Sequence, residues 1–338
     1  MNRPVSHVFA ALSIVLTIAA GTAVGQPFEA VGERALGMGG AFVAVANDGS
    51  ATWWNPAGLA TGPFLDLAIS RTTGAADADL PASRSGVWGL TLSTPPLGVS
   101  YYRLRITGIQ AKPPTAEPGA GREDRAAGVG IRSLSVSQFG ATVLHTITTG
   151  VSAGATVKYV RGTPHRLDVD ASASLVGIPE LLDVGDELED GDGQGTVDLD
   201  LGVLAAVGAL RAGATVRNLR EPRFGDRQLS RQIRAGGAFD GAAAGMMAVM
   251  VSVDVDLRRY AAETGDRRVI AVGAEHWVRP RRFAVRGGAR FNTVGEHDRT
   301  VTVGASVAPR AGMFVDGHAA YGSNSGESGW GIAARVSF

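Results

Sequence analysis

The sequence predicts an all-β fold, a transmembrane antiparallel β-barrel of about fourteen strands with an N-terminal plug, or hatch, in its lumen. Three observations predict it. Past Gly62 the chain divides into pieces of about ten residues whose character alternates, the period of a strand with one apolar face. The connections between those pieces alternate between tight turns and longer polar stretches. The last piece, "GWGIAARVSF", closes on Phe338 with Trp330, Ile332, Ala334 and Val336 on one alternating face.

The front of the chain gives the compartment. Arg3 is followed by an apolar run at 8–20, shorter than the span of about 20 residues that crosses a bilayer. Ala23 and Gly25 stand where a signal peptidase reads, so 1–25 is expected to be a signal peptide and Gln26 the new N-terminus. With no cysteine, neither lipid attachment through a thiol nor a disulfide is available. Lys plus Arg and Asp plus Glu both number 32, so no bulk charge selects a nucleic acid. The 47 glycines fall mostly inside alternating segments, where glycine marks bending or close backbone approach rather than helix.

The strands are expected at 63–71, 86–94, 97–107, 131–147, 150–163, 195–206, 208–219, 229–240, 244–257, 268–278, 281–292, 299–308, 311–321 and 328–338. No other apolar run reaches helix-spanning length, which excludes a helical membrane protein. "TPP" near Pro95, "TTG" near Gly150, "DGAA" near Gly241 and "RPR" near Pro280 read as tight turns. Between them fall polar stretches at 72–85, 108–130, 164–194, 220–228, 258–267, 293–298 and 322–327. Loops sorted in this way match a barrel with short periplasmic turns and long outer loops.

Two readings of the alternation compete, because a soluble barrel would carry its charges outside. Val249, Val251, Val253, Val255 and Leu257 share a face opposite Asp254 and Asp256. Phe283, Val285, Ala289 and Phe291 oppose Arg282, Arg286 and Arg290, and Val197, Leu199, Leu201 and Val203 oppose Asp198 and Asp200. The same counting puts Arg103, Arg105, Lys158, Arg211, Arg217, Glu275 and Arg335 opposite the apolar residues. A lipid-facing Arg or Lys near the midplane costs about 2–4 kcal/mol. The charges are therefore expected inside, lining the lumen as ion pairs. An amphipathic last strand ending in an aromatic is the signal that barrel-insertion machinery reads, which makes that machinery an expected partner of Phe338, beside outer-membrane lipid.

Residues 26–61 keep neither period and precede the first strand of a barrel expected at 62–338. Off-strand backbone at membrane depth must be buried in protein or line water, and about fourteen strands enclose more room than their side chains fill. Gly37, Gly39, Gly40, Ala41, Ala44 and Ala46 let such a segment lie close to the wall, and Asn55-Pro56-Ala57-Gly58 turns it out toward the first strand. Hence 26–61 reads as the hatch.

The run "RALGMGGAFVAVANDGSATWWNPAGLA", with its Asn-Pro-Ala motif at 55–57, resembles the hatch of the FadL long-chain fatty-acid transporter superfamily. It is more similar still to the PorV/PorQ branch, associated with type IX secretion. "VSAGATVKYVRG" at 151–162, "LRAGATVRNLREPRF" at 210–224 and "VIAVGAEHW" at 269–277 resemble that branch too. The resemblance implies a fourteen-stranded barrel with the hatch inside, in the outer membrane of a Gram-negative-type bacterium; no enzyme constellation stands up among the motifs, and no cofactor is expected. In the transporters an apolar ligand is captured outside, passes a pocket near the hatch and leaves sideways through the wall. Passive uptake of a small hydrophobic solute is therefore the expected function. Trp53, Trp54, Asn55, Pro56 and Ala57 are its candidate ligand contacts. The exterior loops depart from that pattern, lacking a long apolar helical hairpin; only 174–189 offers a short helix, and it is acidic. That departure favours the alternative, a non-conducting PorV/PorQ-like barrel that binds a secretion-system protein.

Three further motifs read as structural. "GVSAG" at 150–154 matches a nucleophile elbow, with His145 nearby in sequence, but Ser152 begins an alternating strand instead of a strand–turn–helix. Asp190, Asp192, Gln194 and Asp198 have the spacing of calcium ligands with Gly195 at the turn position. Leu201 stands where a bidentate Glu is needed, so the stretch reads as an acidic outer loop. "GMGGAF" at 37–42 lacks the third glycine and preceding strand of a phosphate loop.

Overall fold

Alternation with one outward apolar face has built long paired strands from Asp66 onward. The computed structural model describes residues 28–77, 80–112, 128–169, 177–188, 192–225, 227–262, 265–279, 282–295, 297–323 and 327–338. The expected signal peptide at 1–25, most of the 108–130 loop and Asp190 lie outside the described residues.

The strands are β1 (Asp66–Ala76), β2 (Ala82–Thr94), β3 (Leu97–Lys112), β4 (Gly128–Thr148), β5 (Val151–Val169) and β6 (Gln194–Val207). They continue with β7 (Leu210–Arg217), β8 (Arg223–Phe224), β9 (Arg227–Gln228), β10 (Gln232–Asp240), β11 (Val249–Asp256) and β12 (Tyr260–Ala262). The remainder are β13 (Gly265–Arg267), β14 (Val269–Arg279), β15 (Phe283–Asn292), β16 (Arg299–Arg310), β17 (Met313–Ser323) and β18 (Ser328–Ser337). Among the described residues, fourteen close into an antiparallel barrel in chain order; β8–β9 and β12–β13 form two small hairpins outside it. Each of the fourteen expected strands overlaps one barrel strand. The seam joins β1 to β18 from Asp66↔Ser337 to Ala75↔Ser328. Leu65 and Phe338 extend it by exchanging backbone hydrogen bonds of 3.1 and 2.9 Å.

One end of the barrel carries the two-residue turns at 95–96, 149–150, 208–209 and 311–312, together with the start of β1 and the end of β18. The 244–257 strand is expected too early: residues 241–248 form overlapping turns, and β11 starts at Val249. "GAAAG" has no branched side chain to hold an extended backbone, and local bonds such as Gly245 N–H to Ala242 O (3.0 Å) take over.

Around the tight-turn half of the barrel the outward face is apolar and exposed, as in Val99, Val143, Val157, Val253 and Val303. A belt of that kind requires lipid rather than water. On β1–β6 it ends at one paired row, Ile69–Leu90–Tyr101–Phe139–Tyr159–Val197. In the next outward row stand Arg71, Trp88, Arg103, Ser137 and Arg161.

This row corrects one expectation. Arg103 is exposed on the face of Val99 and Tyr101, and Arg105 follows it on the same side, so neither lines the lumen. The rule that charge faces inward holds only where lipid surrounds the wall; β3–β5 continue beyond the belt, and there the wall inverts. Inward-facing residues on β2–β5 become Val87, Leu104, Val136 and Gly162 in one row and Ile106, Leu134 and Pro164 in the next. Arg282 is also corrected: it sits exposed in the turn before β15, not in the lumen.

Helix α3 (Ile178–Glu187) lies on the outward side of this extended wall. Leu181 and Leu182 pack with Ala82, Ile109 and Ile131, while Arg84 reaches Asp183 (2.5 Å) and Asp186 (3.4 Å).

Candidate functional site

The segment from Phe28 to Leu65 crosses the lumen as α1 (Glu33–Gly37), α2 (Ala51–Trp54) and a 3-10 helix (Pro56–Thr61), nearly all of it buried. Wall glycines let it approach. A Cβ at Gly154 would lie 2.5 Å from the Pro56 carbonyl carbon, and one at Gly288 would lie 2.3 Å from that of Met38.

Asn55 fastens the hatch to itself and to the wall. Its Nδ2 donates to Val43 O and Val203 O, both at 2.9 Å, and its Oδ1 accepts from Ala57 N at 3.1 Å. This caps the 3-10 helix, which Pro56 opens without needing its missing N–H. Pro56 and Ala57 face Gly154 of β5. Trp53 and Trp54 are enclosed. Their indole N–H groups donate to Phe28 O (2.9 Å) and Val31 O (2.8 Å). The Arg217 guanidinium lies 3.5 Å from the centre of the Trp53 ring, Tyr102 meets its edge, and Phe28 packs on Trp54 at 5.0 Å. No face of either ring is turned to open lumen in this arrangement.

The charges of the lumen form two networks. On one side Glu275 of β14, Arg286 of β15, Asp316 of β17, Arg335 of β18 and Asp66 of β1 alternate in sign. The hatch joins through Arg34, which makes two 2.8 Å bonds to Glu275, and through Gly49 N–H, which donates to Asp66 at 2.8 Å. His318 and Thr72 both hold Glu33. Arg290 reaches Glu327 at 3.7 Å. On the other side Lys158 pairs with Asp198 (3.3 Å) and Asp200 (2.7 Å), Arg217 lies 3.8 Å from Asp200, and Arg211 pairs with Asp240 at 2.6 Å. Arg234 links Asp256 (2.6 Å) to Glu29 of the hatch (2.5 Å). Asp254 accepts from Phe42 N and Val43 N, both at 2.8 Å. Burial alone would raise the Glu29 carboxyl, but Arg234, Arg290 and Arg267 hold it well below the usual carboxylate range.

Glu29, Arg34, Asp66, Arg234 and Asp316 were not among the candidates drawn from the sequence. Arg234 could have been found, since it shares a face with Gly236 and Ala238 opposite Phe239. The hatch charges carry no period to reveal them.

Above the hatch, on the long-loop side, the inverted wall encloses an apolar chamber filled by packed side chains. Val87, Leu104, Leu134, Val136 and Val160 form one cluster with hatch residues Phe28 and Trp53. The β8–β9 hairpin closes it by inserting Phe224 and Leu229, both fully buried. A Cβ at Gly162 would lie 2.3 Å from the Phe224 ring, so that glycine is what admits the ring. Below the hatch, a cavity of about 440 Å³ opens at the tight-turn end, lined by residues including Arg34, Asp48, Trp277, Phe314 and Arg335.

The motifs set aside on sequence grounds take structural places. Ser152 faces the lumen while His145 is exposed on the opposite face. Asp192 is exposed in the loop before β6, whereas Asp198 is turned into the lumen against Lys158, so the two do not share a cation site.

No protein-family profile matches the chain, and no curated protein matches it in sequence. Solved structures do match its fold. The toluene transporter TbuX of Ralstonia pickettii superposes with a TM-score of 0.58 at 16% identity, over 92% of this chain and 99% of that one. CymD, a monoaromatic hydrocarbon channel, gives 0.59 at 15% identity over 92% and 98%. TodX, a toluene transporter of P. putida, gives 0.53 at 12% identity over 92% and 99%. The fourteen-stranded barrel that the sequence predicts is thus the fold of these transporters, matched over nearly their whole length.

Proposed function

We propose that the chain is an outer-membrane barrel that admits a small hydrophobic solute, of the size of a monoaromatic hydrocarbon, without an energy source. The observation that carries this reading is the inverted wall. A barrel whose outer half merely held its shape in water would put polar residues on both faces there. Here the inward face beyond the lipid belt is Val87, Leu104, Ile106, Leu134 and Val136, at the mouth through which a solute would arrive. The chamber already holds an aromatic: the benzyl group of Phe224 is chemically a toluene tethered to the backbone. Transfer of such a ring from water is favourable by roughly 1.5–3 kcal/mol, so a free ring could compete for the place once the hairpin lifts. The three neighbours described as hydrocarbon transporters or channels are consistent with this.

The burial of nearly the whole hatch favours a second reading, a non-conducting PorV/PorQ-like barrel that partners a secretion apparatus. One experiment separates them. Cells with a lipopolysaccharide outer leaflet, lacking their own hydrocarbon channels, would express the full chain or a Leu104→Asp/Val136→Asp variant at equal surface levels. The transport reading expects faster uptake of a labelled monoaromatic hydrocarbon with the unaltered chain and loss of that gain with the variant. No gain over cells without the chain would abandon transport for the second reading. Heat-shifted electrophoretic mobility would check that the variant barrel folds.

A further inference from the structure

Toward β1, β17 and β18 the hatch does not lie flush against the wall, and polar cavities follow one another along β1. The first, beside Gly62 and Pro63, is the cavity of about 440 Å³ at the tight-turn end. The second, of about 40 Å³, lies beside Asp66, Ala68 and Ser70 and shares Arg34, Asp48 and Arg335 with the first. The third, of about 20 Å³, lies beside Thr72, Thr73 and Gly74. The partly exposed Glu327 stands on its rim at the long-loop end. A void of about 10–15 Å³ with polar walls already holds one water. One side chain separates the second cavity from the third. Glu33 lines the second, while its Oε1 accepts from Thr72 Oγ1 at 2.8 Å and its Oε2 meets His318 Nδ1. Both of those partners are walls of the third. A Cβ at Gly331 would collide with that Oε2, so the glycine leaves the carboxylate its room.

We propose that these cavities form a hydrophilic seam past the hatch for water and small monovalent cations, with the Glu33 side chain as its gate. The lining sets the permeant. Glu29, Asp66, Asp316 and Glu327 join Glu33 and Asp48, six carboxylates against the three arginines Arg34, Arg290 and Arg335. Constrictions rich in carboxylates admit cations and turn anions away. In the arrangement described, Glu33 bridges β1 to β17 and closes the seam. Rotation of that one side chain joins the cavities, and no hatch backbone has to move. The apolar chamber stands elsewhere, over Val87, Leu104, Val136 and Val160 of β2–β5. The seam is therefore separate from the route proposed for a hydrocarbon, and either can fail without the other.

The test records the conductance of the full chain in planar bilayers bathed in potassium nitrate. The chain has no cysteine, so Ser70→Cys places a single thiol in the wall of the second cavity, where silver ion is the probe. Glu33→Ala should raise the conductance at least tenfold, with a reversal potential that favours potassium over nitrate. Thr72→Val, which unties Glu33 from β1, should give a smaller gain of the same selectivity. Glu33→Gln keeps the length of the side chain and should stay closed. In Glu33→Ala/Ser70→Cys silver should abolish the gain from either side, and it should leave Glu33→Ala alone unaffected. Protease cleavage of 28–65 reports the seating of the hatch separately and should match that of the unaltered chain. No gain in either opening variant, a gain without cation preference, or a gain that silver leaves standing in the thiol variant overturns the proposal. So does a gain that appears only with faster cleavage of 28–65, because the hatch itself would then have left its place.

Discussion

Gly154→Ala is the smallest change that should unseat the hatch. The added Cβ would lie 2.5 Å from Pro56 C, 2.6 Å from Ala57 N and 2.8 Å from Pro56 O. All three are backbone atoms, so no flexible side chain can swing aside. The nearest of them falls nearly an ångström inside the 3.4 Å where ordinary contact begins. Nor can the hatch step back freely, because Asn55 ties the same turn to Val203 O at 2.9 Å and to Ala57 N at 3.1 Å. Overpacking of this kind costs about 1–3 kcal/mol, and each Asn55 hydrogen bond surrendered adds about 1 kcal/mol. A bias of roughly 2–4 kcal/mol toward a displaced hatch raises that population about 30-fold to several-hundred-fold. Planar-bilayer recordings should then show more frequent openings, and the 28–65 segment should be cut sooner by protease added at the tight-turn end. Gly86→Ala is the control, since a Cβ there meets nothing within 4 Å. If the two alanine variants behave alike, the hatch does not rest on β5 and the reasoning fails.

Asn55→Ala should remove two donated bonds and one accepted bond, lowering hatch stability by about 1–3 kcal/mol, seen as proteolysis of 28–65 with an intact barrel. Glu275→Gln leaves Arg34 and Arg286 facing a neutral amide; breaking a buried pair costs about 3–5 kcal/mol, so the thermal midpoint of the folded barrel should fall. The Glu29 carboxyl is held below its unfolded value of 4.5. Its contribution is fully present above that pH and is lost as the pH falls through the lowered value, so hatch release measured by conductance should increase on acidification, less so in Glu29→Gln. Phe224→Ala empties the chamber, so hydrocarbon uptake should saturate at lower solute concentration; unchanged or weaker saturation would count against the chamber as the entry site.

Much of the barrel was legible because each strand carries its own record of which face meets lipid. Val249 to Leu257 and Val197 to Val203 alternate without interruption, and glycine turns mark the strand ends. What was not legible follows from one assumption, that a single facing rule holds along a whole strand. In β3 the apolar residues are Leu97, Val99 and Tyr101, then Leu104 and Ile106. The set passes from odd to even positions with no bulge in the pairing. In β4 it passes from Phe139 to Val136 and Leu134, and in β5 from Tyr159 to Val160. Three changes of parity at one paired level are a readable signal of the membrane boundary, and they place Arg103 and Arg105 outside. The seating of the hatch was not readable in the same way. It depends on wall glycines such as Gly154 and Gly288 meeting particular backbone atoms, a matter of tertiary approach that no local period encodes.

The hatch is held differently on its two sides, and the difference bears on how a solute could pass. Toward β11 and β14–β18 it is fixed by charge: Arg34 to Glu275, Phe42 and Val43 N–H to Asp254, Glu33 to His318. Parting such buried groups costs several kcal/mol unless another ion replaces them. Toward β2–β6 it rests on apolar packing and neutral hydrogen bonds: Trp53 on Tyr102, Leu59 by Gly98, Asn55 to Val203. A hydrocarbon can substitute for apolar packing at little cost, since the area removed from water stays nearly the same, but it offers nothing to a separated carboxylate. The chamber adjoins this second side, through Val87, Leu104 and Val160. On the proposed reading, a solute in the chamber would weaken the seal only along β2–β6, while the charged side would stay fastened to the wall.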